Sequence, residues 1–293
     1  MSIATTSLRT EDGATLAVHA TVEPFPGAPV VILANGLGGP YLAWRSLVED
    51  LGDRYRFITW DYRGLYGSSR PVPDVAEAYA VPRHVGDLLA VVRAFQVERA
   101  SLVGWSMGVQ VVLETYAAVP ELAANLVLLN GTFGRPLHSA APLAFLGPLV
   151  PRAVAIAEWM HGPLGAVTRR ASTVPQTVSL LKRLGLIGEA LDDAEFAELV
   201  RGFGGLDMQA FLRNLRALGE HDASRILPRV EVPTLVITGD RDLMTPRGLS
   251  QQMVRRIPRA EILIVRGGTH YTAVEFPDLV DLRIERFYRD HAF

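Results

Sequence analysis

The sequence of 293 residues contains no cysteine. This absence excludes disulfides, thiolate metal sites and a cysteine nucleophile together. It is typical of a protein of the reducing cytosol, so we expect a cytoplasmic location.

An excess of positive charge is also missing, because the chain contains 29 Lys and Arg residues and 31 Asp and Glu residues, which gives a net charge of −2. Without a basic surplus we expect no nucleic-acid partner and a small-molecule substrate instead. The sequence also lacks an H-E-x-x-H motif, a carboxylate cluster and a phosphate-binding G-x-x-x-x-G-K-[ST] loop. We therefore expect neither a metal nor a cofactor. The sequence does not indicate an oligomeric state.

Long uninterrupted apolar runs are scarce. The first residues show no basic start followed by an apolar run, so no signal peptide is expected. The most apolar later stretch, Ala140 to Met160, contains Pro142, Pro148 and Pro151. Prolines break a spanning helix, so we expect no stable membrane insertion. We interpret the stretch as core or pocket lining, with membrane-surface contact as the alternative.

What is present is a rhythm of short apolar runs and amphipathic segments. Such alternation predicts an α/β fold with a mostly parallel sheet flanked by helices, preceded here by a hairpin within Ser7–Val22. The predicted strands are Val30–Ala34, Arg56–Trp60, Ala100–Gly104, Leu126–Asn130, Thr234–Thr238 and Glu261–Val265. The predicted helices are Tyr41–Leu51, His84–Phe95, Val109–Ala118, Arg247–Ile257 and Leu279–His291.

The rhythm stops between Gly131 and about Arg229, where helical patterns and prolines occur without a buried strand. The simplest account is a helical insertion at the carboxyl edge of the sheet, where open α/β sheets bind their ligands. We expect core residues 1–131, a cap formed by residues 132–229, and core residues 230–293.

A candidate nucleophile lies in Gly104-Trp105-Ser106-Met107-Gly108, between a predicted strand and a predicted helix. This is the context that a G-x-S-x-G elbow requires, because the sharp turn lifts the serine from the sheet edge and glycines allow close backbone approach.

A serine nucleophile needs a general base to accept its proton. Of the seven histidines, only His270 lies in a short loop directly after a buried strand. The acid should come from Asp240 or Asp242, which follow the preceding strand, and the chemistry alone does not separate them.

These residues together resemble the α/β-hydrolase superfamily, in the chain order nucleophile, acid, histidine. The family pattern G-x-x-D-x-x-x-P matches Gly239, Asp242 and Pro246, so the resemblance implies Asp242 as the acid and leaves Asp240 to support the loop. The loop containing Asp61 and Arg63 and the Gly267-Gly268-Thr269-His270 segment are similar to the family as well. The resemblance implies an α/β-hydrolase fold with the helical cap inserted before the acid-bearing strand.

Two positions depart from the family. Asn35 replaces the histidine of the usual H-G-x-x-G loop, and Leu65-Tyr66 stands where His-Gly is usual. The resemblance implies an oxyanion hole formed by the main-chain amides of Leu37 and Met107, which do not depend on their side chains. We expect Asn35 to replace part of the histidine's buried hydrogen bonding.

The resemblance favours a serine hydrolase that cleaves a medium-sized, fairly hydrophobic carboxylic ester through an acyl-enzyme on Ser106. Leu37, Trp105 and Met107 would form apolar walls beside the nucleophile. The expected pocket residues are Gly36, Trp105, Phe145, Trp159 and Tyr271. Alternatives are a C–C bond hydrolase, for which Arg63, Arg169 or Arg170 would hold a carboxylate, a lactonase, a thioesterase or a perhydrolase. A non-catalytic small-molecule receptor on the same fold is a further alternative.

Overall fold

The computed structural model describes residues 3–135 and 149–293, with residues 150 and 151 described by their backbone alone. The strands are β1 Ile3–Arg9, β2 Thr15–Thr21, β3 Val30–Ala34, β4 Arg56–Trp60, β5 Ala100–Trp105, β6 Ala123–Leu129, β7 Thr234–Gly239 and β8 Ala260–Val265. The core helices are α1 Arg45–Leu51, α2 Val81–Ala94 and α3 Met107–Ala118 before the cap, and α9 Arg247–Arg256, α10 Thr272–Glu275 and α11 Pro277–Asp290 after it.

One eight-stranded sheet runs through the core in the order β1-β2-β4-β3-β5-β6-β7-β8. Only the pairs β1–β2 and β2–β4 are antiparallel. The other pairs are parallel. Alternate residues of the central strands are buried against opposite faces: Ile32 packs in one apolar cluster, and Val31 and Leu33 in the other. Burial on both faces explains the continuous apolar runs in the sequence. The predicted mostly parallel sheet is confirmed.

The sheet order reverses at β3 and β5, which lie side by side with Ala34 opposite Gly104. Open α/β sheets bind ligands where the order reverses, outside the carboxyl ends of the strands. The loops after β3 and β5 meet there, and they contain Gly36–Gly39 and Ser106. The topology therefore brings the glycine-rich loop next to the candidate nucleophile.

Five helices lie between β6 and β7: α4 Val150–Trp159, α5 His161–Ser172, α6 Gln176–Arg183, α7 Asp193–Gly204 and α8 Met208–Glu220. Asp192 and Asp207 begin α7 and α8 by accepting hydrogen bonds from the first free backbone amides of these helices. Helices α4, α5 and α6 pack on α7 and α8. The described part of the chain thus contains a helical cap before the acid-bearing strand. None of the described helices combines the length and hydropathy needed to cross a bilayer.

Candidate active site

Ser106 lies in a strained turn between β5 and α3. Its backbone has φ 55° and ψ −112°, in a region that residues with a Cβ rarely adopt. Its amide donates to the carbonyl of Leu129 at 3.0 Å, which ties the turn to the neighbouring strand. Surrounding structure thus holds the strained conformation.

The two glycines of the elbow are required by close backbone contacts. A Cβ on Gly108 would lie 2.0 Å from the carbonyl oxygen of Ala34, and one on Gly104 would lie 2.5 Å from the carbonyl oxygen of Gly108. Both distances are shorter than any non-bonded contact allows. The steric reason expected from the sequence therefore applies at both positions.

Ser106, His270 and Asp242 form one hydrogen-bonded chain. His270 Nε2 is 2.9 Å from Ser106 Oγ, and His270 Nδ1 is 3.0 Å from Asp242 Oδ2. The histidine and the aspartate are buried, whereas the serine is partly exposed toward a cavity. This is the geometry in which imidazole can take a hydroxyl proton while a carboxylate stabilises its cation.

The Asp242 carboxylate is held in its charged form. Burial opposes ionisation, but the adjacent His270 and hydrogen bonds from Thr245 outweigh it, so the pKa of Asp242 lies below its ordinary value. Its Oδ1 accepts the amides of Met244 and Thr245, each at 2.8 Å. Its Oδ2 accepts the Thr245 hydroxyl at 2.7 Å. A carboxylate with this many donors is charged and fixed in orientation.

Asp240 has a different position from Asp242. Its Oδ1 accepts the amide of Gly267 at 2.7 Å, which joins the loop after β7 to the loop that carries His270. The structure thus separates the two aspartates that the sequence left open: Asp242 contacts the histidine ring, and Asp240 supports the loop.

Asn130 and Glu275 are two supporting residues that sequence analysis missed. Asn130 donates through Nδ2 to Asp242 Oδ2 at 3.1 Å and to the carbonyl of Thr269 at 3.0 Å. Glu275 accepts the amide of Thr269 at 2.7 Å and that of Gly188, in the cap, also at 2.7 Å. The position of Asn130 at the carboxyl end of β6 was a usable signal. No sequence pattern pointed to Glu275.

Trp105 packs under the glycine-rich loop and holds the histidine backbone. Its Nε1 donates to the carbonyl of His270 at 3.1 Å. A Cβ on Gly39 would lie 2.4 Å from the indole ring, and one on Gly36 would lie 2.9 Å from it. The glycines therefore allow the loop to lie directly on the indole.

The two expected oxyanion donors lie at the ends of β3 and β5. Leu37 borders the cavity beside Ser106. Met107 is the first residue of α3, and the first amides of a helix have no intrahelical acceptor. The Met107 side chain is fully buried in the core, so the expectation that it forms a pocket wall is wrong. Its predicted contribution is confined to the backbone.

Asn35 occupies a buried hydrogen-bond network. Its Nδ2 donates to the carbonyl of Trp60 at 2.9 Å, and its Oδ1 accepts from Trp44 Nε1 at 2.6 Å and from Thr59 Oγ1 at 3.2 Å. The hydroxyl of Tyr62 donates to the Asn35 carbonyl at 2.7 Å. The asparagine therefore anchors the start of the glycine-rich loop from both its side chain and its backbone.

Tyr66, the second departure from the family pattern, connects that loop to the cap. Its hydroxyl donates to the carbonyl of Gly38, and a Cβ on Gly202 in α7 would lie 3.7 Å from its ring. Its φ of 48° is in the left-handed region. The neighbouring Leu65 is fully buried in the core. The unusual tyrosine thus buttresses the loop that presents Leu37.

A cavity of about 480 Å³ opens on Ser106 and His270. The core contributes Gly36, Leu37, Trp105, Met244 and Tyr271, among others, and the cap contributes residues of α5 to α8. Those cap residues are Thr168, Ala171, Ser172, Thr177, Leu181, Phe196, Leu199, Val200, Phe203, Phe211, Leu215 and Leu218. Burial, with the carboxylates of Asp242 and Glu275, raises the pKa of Tyr271 to about 12, so its hydroxyl is neutral at pH 7.

The expected pocket residues divide into three groups. Gly36, Trp105 and Tyr271 line the cavity. Phe145 lies outside the described residues. The prediction for Trp159 is wrong, because its side chain is 84% exposed and does not border the cavity. It follows Glu158, which faces α8 and pairs with Arg213, and successive helical residues point about 100° apart.

The three arginines considered for a carboxylate-bearing substrate lie elsewhere. Arg63 is buried in ion pairs with Asp87 and Asp12 at 2.6 and 2.5 Å. Arg169 and Arg170 are on the exposed side of α5. No described residue that lines the cavity is Lys, Arg, Asp or Glu. Across residues 3–135 and 149–293, no three His, Asp or Glu side chains are grouped as a metal site requires.

Comparison with known proteins matches this chain to one family. A family model described as "Alpha/beta hydrolase family" matches residues 31–281. A protein named "Putative carbamate hydrolase RutD" from Klebsiella pneumoniae subsp. pneumoniae is 27% identical over 260 residues, which cover 84% of this chain and 86% of the relative.

Two solved structures share the whole fold. The enol-lactonase from Burkholderia xenovorans LB400 aligns with a TM-score of 0.77 at 20% identity, covering 98% of this chain and 100% of the other. A hydrolase from Pseudomonas aeruginosa PA01 aligns with a TM-score of 0.76 at 25% identity, covering 97% of each chain. The protein described here belongs to the α/β-hydrolase family and is an enzyme of the hydrolase class.

Proposed function

We propose that this enzyme hydrolyses a medium-sized, uncharged, hydrophobic carboxylic ester through an acyl-enzyme on Ser106. The observation that carries the proposal is the apolar cavity of about 480 Å³ that opens on Ser106 and His270 without a charged Lys, Arg, Asp or Glu among its described lining residues. An apolar wall favours an apolar ligand. An anionic substrate would lose its hydration there without gaining a cationic partner.

The proposed reaction has two halves. Ser106 Oγ attacks the ester carbonyl carbon while His270 Nε2 takes the hydroxyl proton, and Asp242 stabilises the resulting imidazolium. The amides of Leu37 and Met107 hold the tetrahedral oxyanion, each worth about 3–4 kcal/mol of barrier. His270 returns the proton to the leaving alcohol. Water then attacks the acyl carbon and gives a proton to His270. The imidazolium passes this proton to Ser106 Oγ as the bond to the acyl carbon breaks, which releases the acid and restores the enzyme.

Carbamate hydrolysis is a second candidate, favoured by the name of the relatives that match most of this chain. The same serine chemistry can cleave a carbamate carbonyl. Free carbamate is small and anionic, whereas the cavity is larger and has an apolar wall. An uncharged carbamate ester fits better, so it belongs in the same substrate panel.

The test is turnover of p-nitrophenyl esters from acetate to palmitate by wild type, Ser106→Ala and Ser172→Ala. Ser172 also lines the cavity, so its variant is a matched control for loss of a serine hydroxyl. We expect a maximum at intermediate chain length, no turnover by Ser106→Ala and near-normal turnover by Ser172→Ala. Turnover that survives in Ser106→Ala would overturn the proposal.

A further inference from the structure

The outer side of α4 and α5 exposes a row of large apolar side chains. We call these residues the cap patch: Ile156, Trp159, Met160, Leu164 and Val167. Trp159 is 84% exposed, Val167 65% and Ile156 60%. A folded protein rarely leaves a tryptophan so exposed without a partner, because burial of its large apolar ring is strongly favourable in free energy.

In α4, the exposed Ile156 and Trp159 lie away from the side of the helix that buries Val154. Ile156 and Trp159 are three residues apart in α4, and Leu164 and Val167 are three residues apart in α5, so each pair lies on one side of its own helix. In α5, Thr168 lines the cavity, while Leu164 and Val167 before it are exposed. Helix α5 therefore lines the substrate pocket and also exposes apolar side chains, whereas α4 contributes no described residue to the pocket lining.

Charge indicates which partner fits the patch. Residues 150–183 contain five basic residues and one acidic residue, a net charge of +4 in a chain whose net charge is −2. The acidic residue, Glu158, forms an ion pair with Arg213 at 3.0 Å. Arg169 and Arg170 directly follow the patch and, among the described residues, no carboxylate lies within ion-pair distance of either. The surface is apolar and cationic together.

We propose that the cap patch docks on an anionic lipid surface. Tryptophan favours the boundary between water and lipid, amphipathic helices bury their apolar side there, and arginines add attraction to anionic headgroups. The consequence for catalysis rests on the proposed function: docking would place the cap, and the cavity beneath it, next to hydrophobic esters dissolved in the lipid.

The experiment is titration of the ester-free enzyme with phosphatidylcholine vesicles that contain or lack phosphatidylglycerol. Trp159 is the reporter, since Trp44, Trp60 and Trp105 are at most 7% exposed. We expect a blue shift of tryptophan emission with the anionic vesicles only. Ile156→Ser/Val167→Ser should abolish the shift, and each of Arg169→Gln and Arg170→Gln should weaken binding about fivefold.

The matched control is Leu279→Ser/Leu282→Ser, which removes two exposed leucines from α11, outside the cap. It should bind vesicles as wild type does, and every variant should keep wild-type turnover of a water-soluble ester. Absence of a shift in wild type, equal loss in the α11 control, or sedimentation showing that the patch joins two copies of the chain would overturn the proposal. Because binding is measured from tryptophan emission and not from turnover, failure of the ester hypothesis leaves this result unaffected.

Discussion

The core and the cap differ in how tightly each position is constrained. At the carboxyl edge of the core sheet, a strained serine, two glycines without room for a Cβ and a carboxylate with several donors each admit few alternatives. In the cap, a set of apolar side chains lines the cavity and many residue types of similar volume would serve. We infer that the core sets the chemistry and the cap sets the substrate's size and polarity.

The largest expected effect concerns Asp242 in the core. Asp242→Asn should lower kcat about 10⁴-fold, as loss of the acid does in serine triads, because the imidazole then loses its stabilising charge and its tautomer. Asp240→Asn is the matched control and should change kcat only slightly, since Asp240 contacts the amide of Gly267. Steady-state kinetics on one ester decide the matter, and equal losses would contradict the assignment.

A second prediction concerns Asp281, a buried carboxyl group in the core. Asp281 on α11 accepts the Ser46 hydroxyl at 2.7 Å, and burial raises its pKa to about 7 despite that hydrogen bond. Because the folded state holds this proton more tightly than the unfolded state, Asp281 contributes its full stability below the unfolded pKa of about 3.9. That contribution is lost as the pH rises through 7. Urea unfolding should show wild-type stability falling from pH 5 to pH 8, by on the order of 3 kcal/mol. Asp281→Asn should flatten this fall, and an unchanged slope would rule out Asp281 as its source.

Substitutions in the cap should change which ester is preferred and leave the chemical step unaltered. Phe203 and Phe211 line the cavity and pack edge to face, with ring centroids 5.0 Å apart. Phe203→Ala enlarges the pocket, so kcat/KM for the best wild-type ester should fall about tenfold while the optimum moves to longer acyl chains. Phe25→Ala, which removes an exposed phenylalanine outside the cavity, is the control. A uniform fall across all chain lengths would show that the cap affects the chemistry itself.

Tyr66 lies where core and cap meet, so its variant tests whether a residue between them affects the chemistry or the binding of substrate. Tyr66→Phe removes one hydrogen bond to the carbonyl of Gly38, so kcat should fall about fivefold. The affinity for a boronic acid that mimics the tetrahedral intermediate should fall in parallel, while KM stays within about twofold of wild type. Tyr41→Phe removes a hydroxyl elsewhere and should leave both unchanged. A change in KM alone would place Tyr66 in substrate binding instead of loop positioning.

The smallest effect is expected for the ion pairs that join the cap to the core. Arg70 contacts Asp207, which begins α8, at 2.5 Å and Asp74 at 3.0 Å, but its side chain is 40% exposed. Exposed pairs contribute about 0–1 kcal/mol. Arg70→Gln should therefore lower the unfolding free energy by less than about 1 kcal/mol, with the difference shrinking as salt is added. A much larger loss would mean that these pairs hold the cap in place.

The core could be predicted from the sequence to a large extent, for physical reasons. Strands such as Val30–Ala34 and Arg56–Trp60 have the bounds that were predicted, because strands buried on both faces are mainly apolar. Ser106 and His270 were recognisable because each lies in a loop directly after an apolar strand, although β8, the strand before His270, is an edge strand and only partly buried. Parallel topology then brings these loops to one edge.

The missed features depend on contacts between segments far apart in the sequence. Whether Trp159 faces the cavity or solvent depends on which helix covers the other side of α4, and an apolar pattern alone does not reveal this. Glu275 contacts Gly188, 87 residues earlier in the chain. The role of Tyr66 became visible only when the structure placed its hydroxyl at Gly38.

The most direct test of the central claim is to trap the acyl-enzyme. Wild type mixed with its best p-nitrophenyl ester and quenched in acid within the first turnover should gain the mass of one acyl group, on the peptide that contains Ser106. Ser106→Ala should gain none. An acyl group on another residue, or rapid turnover without a covalent adduct or a burst of p-nitrophenol, would contradict the account.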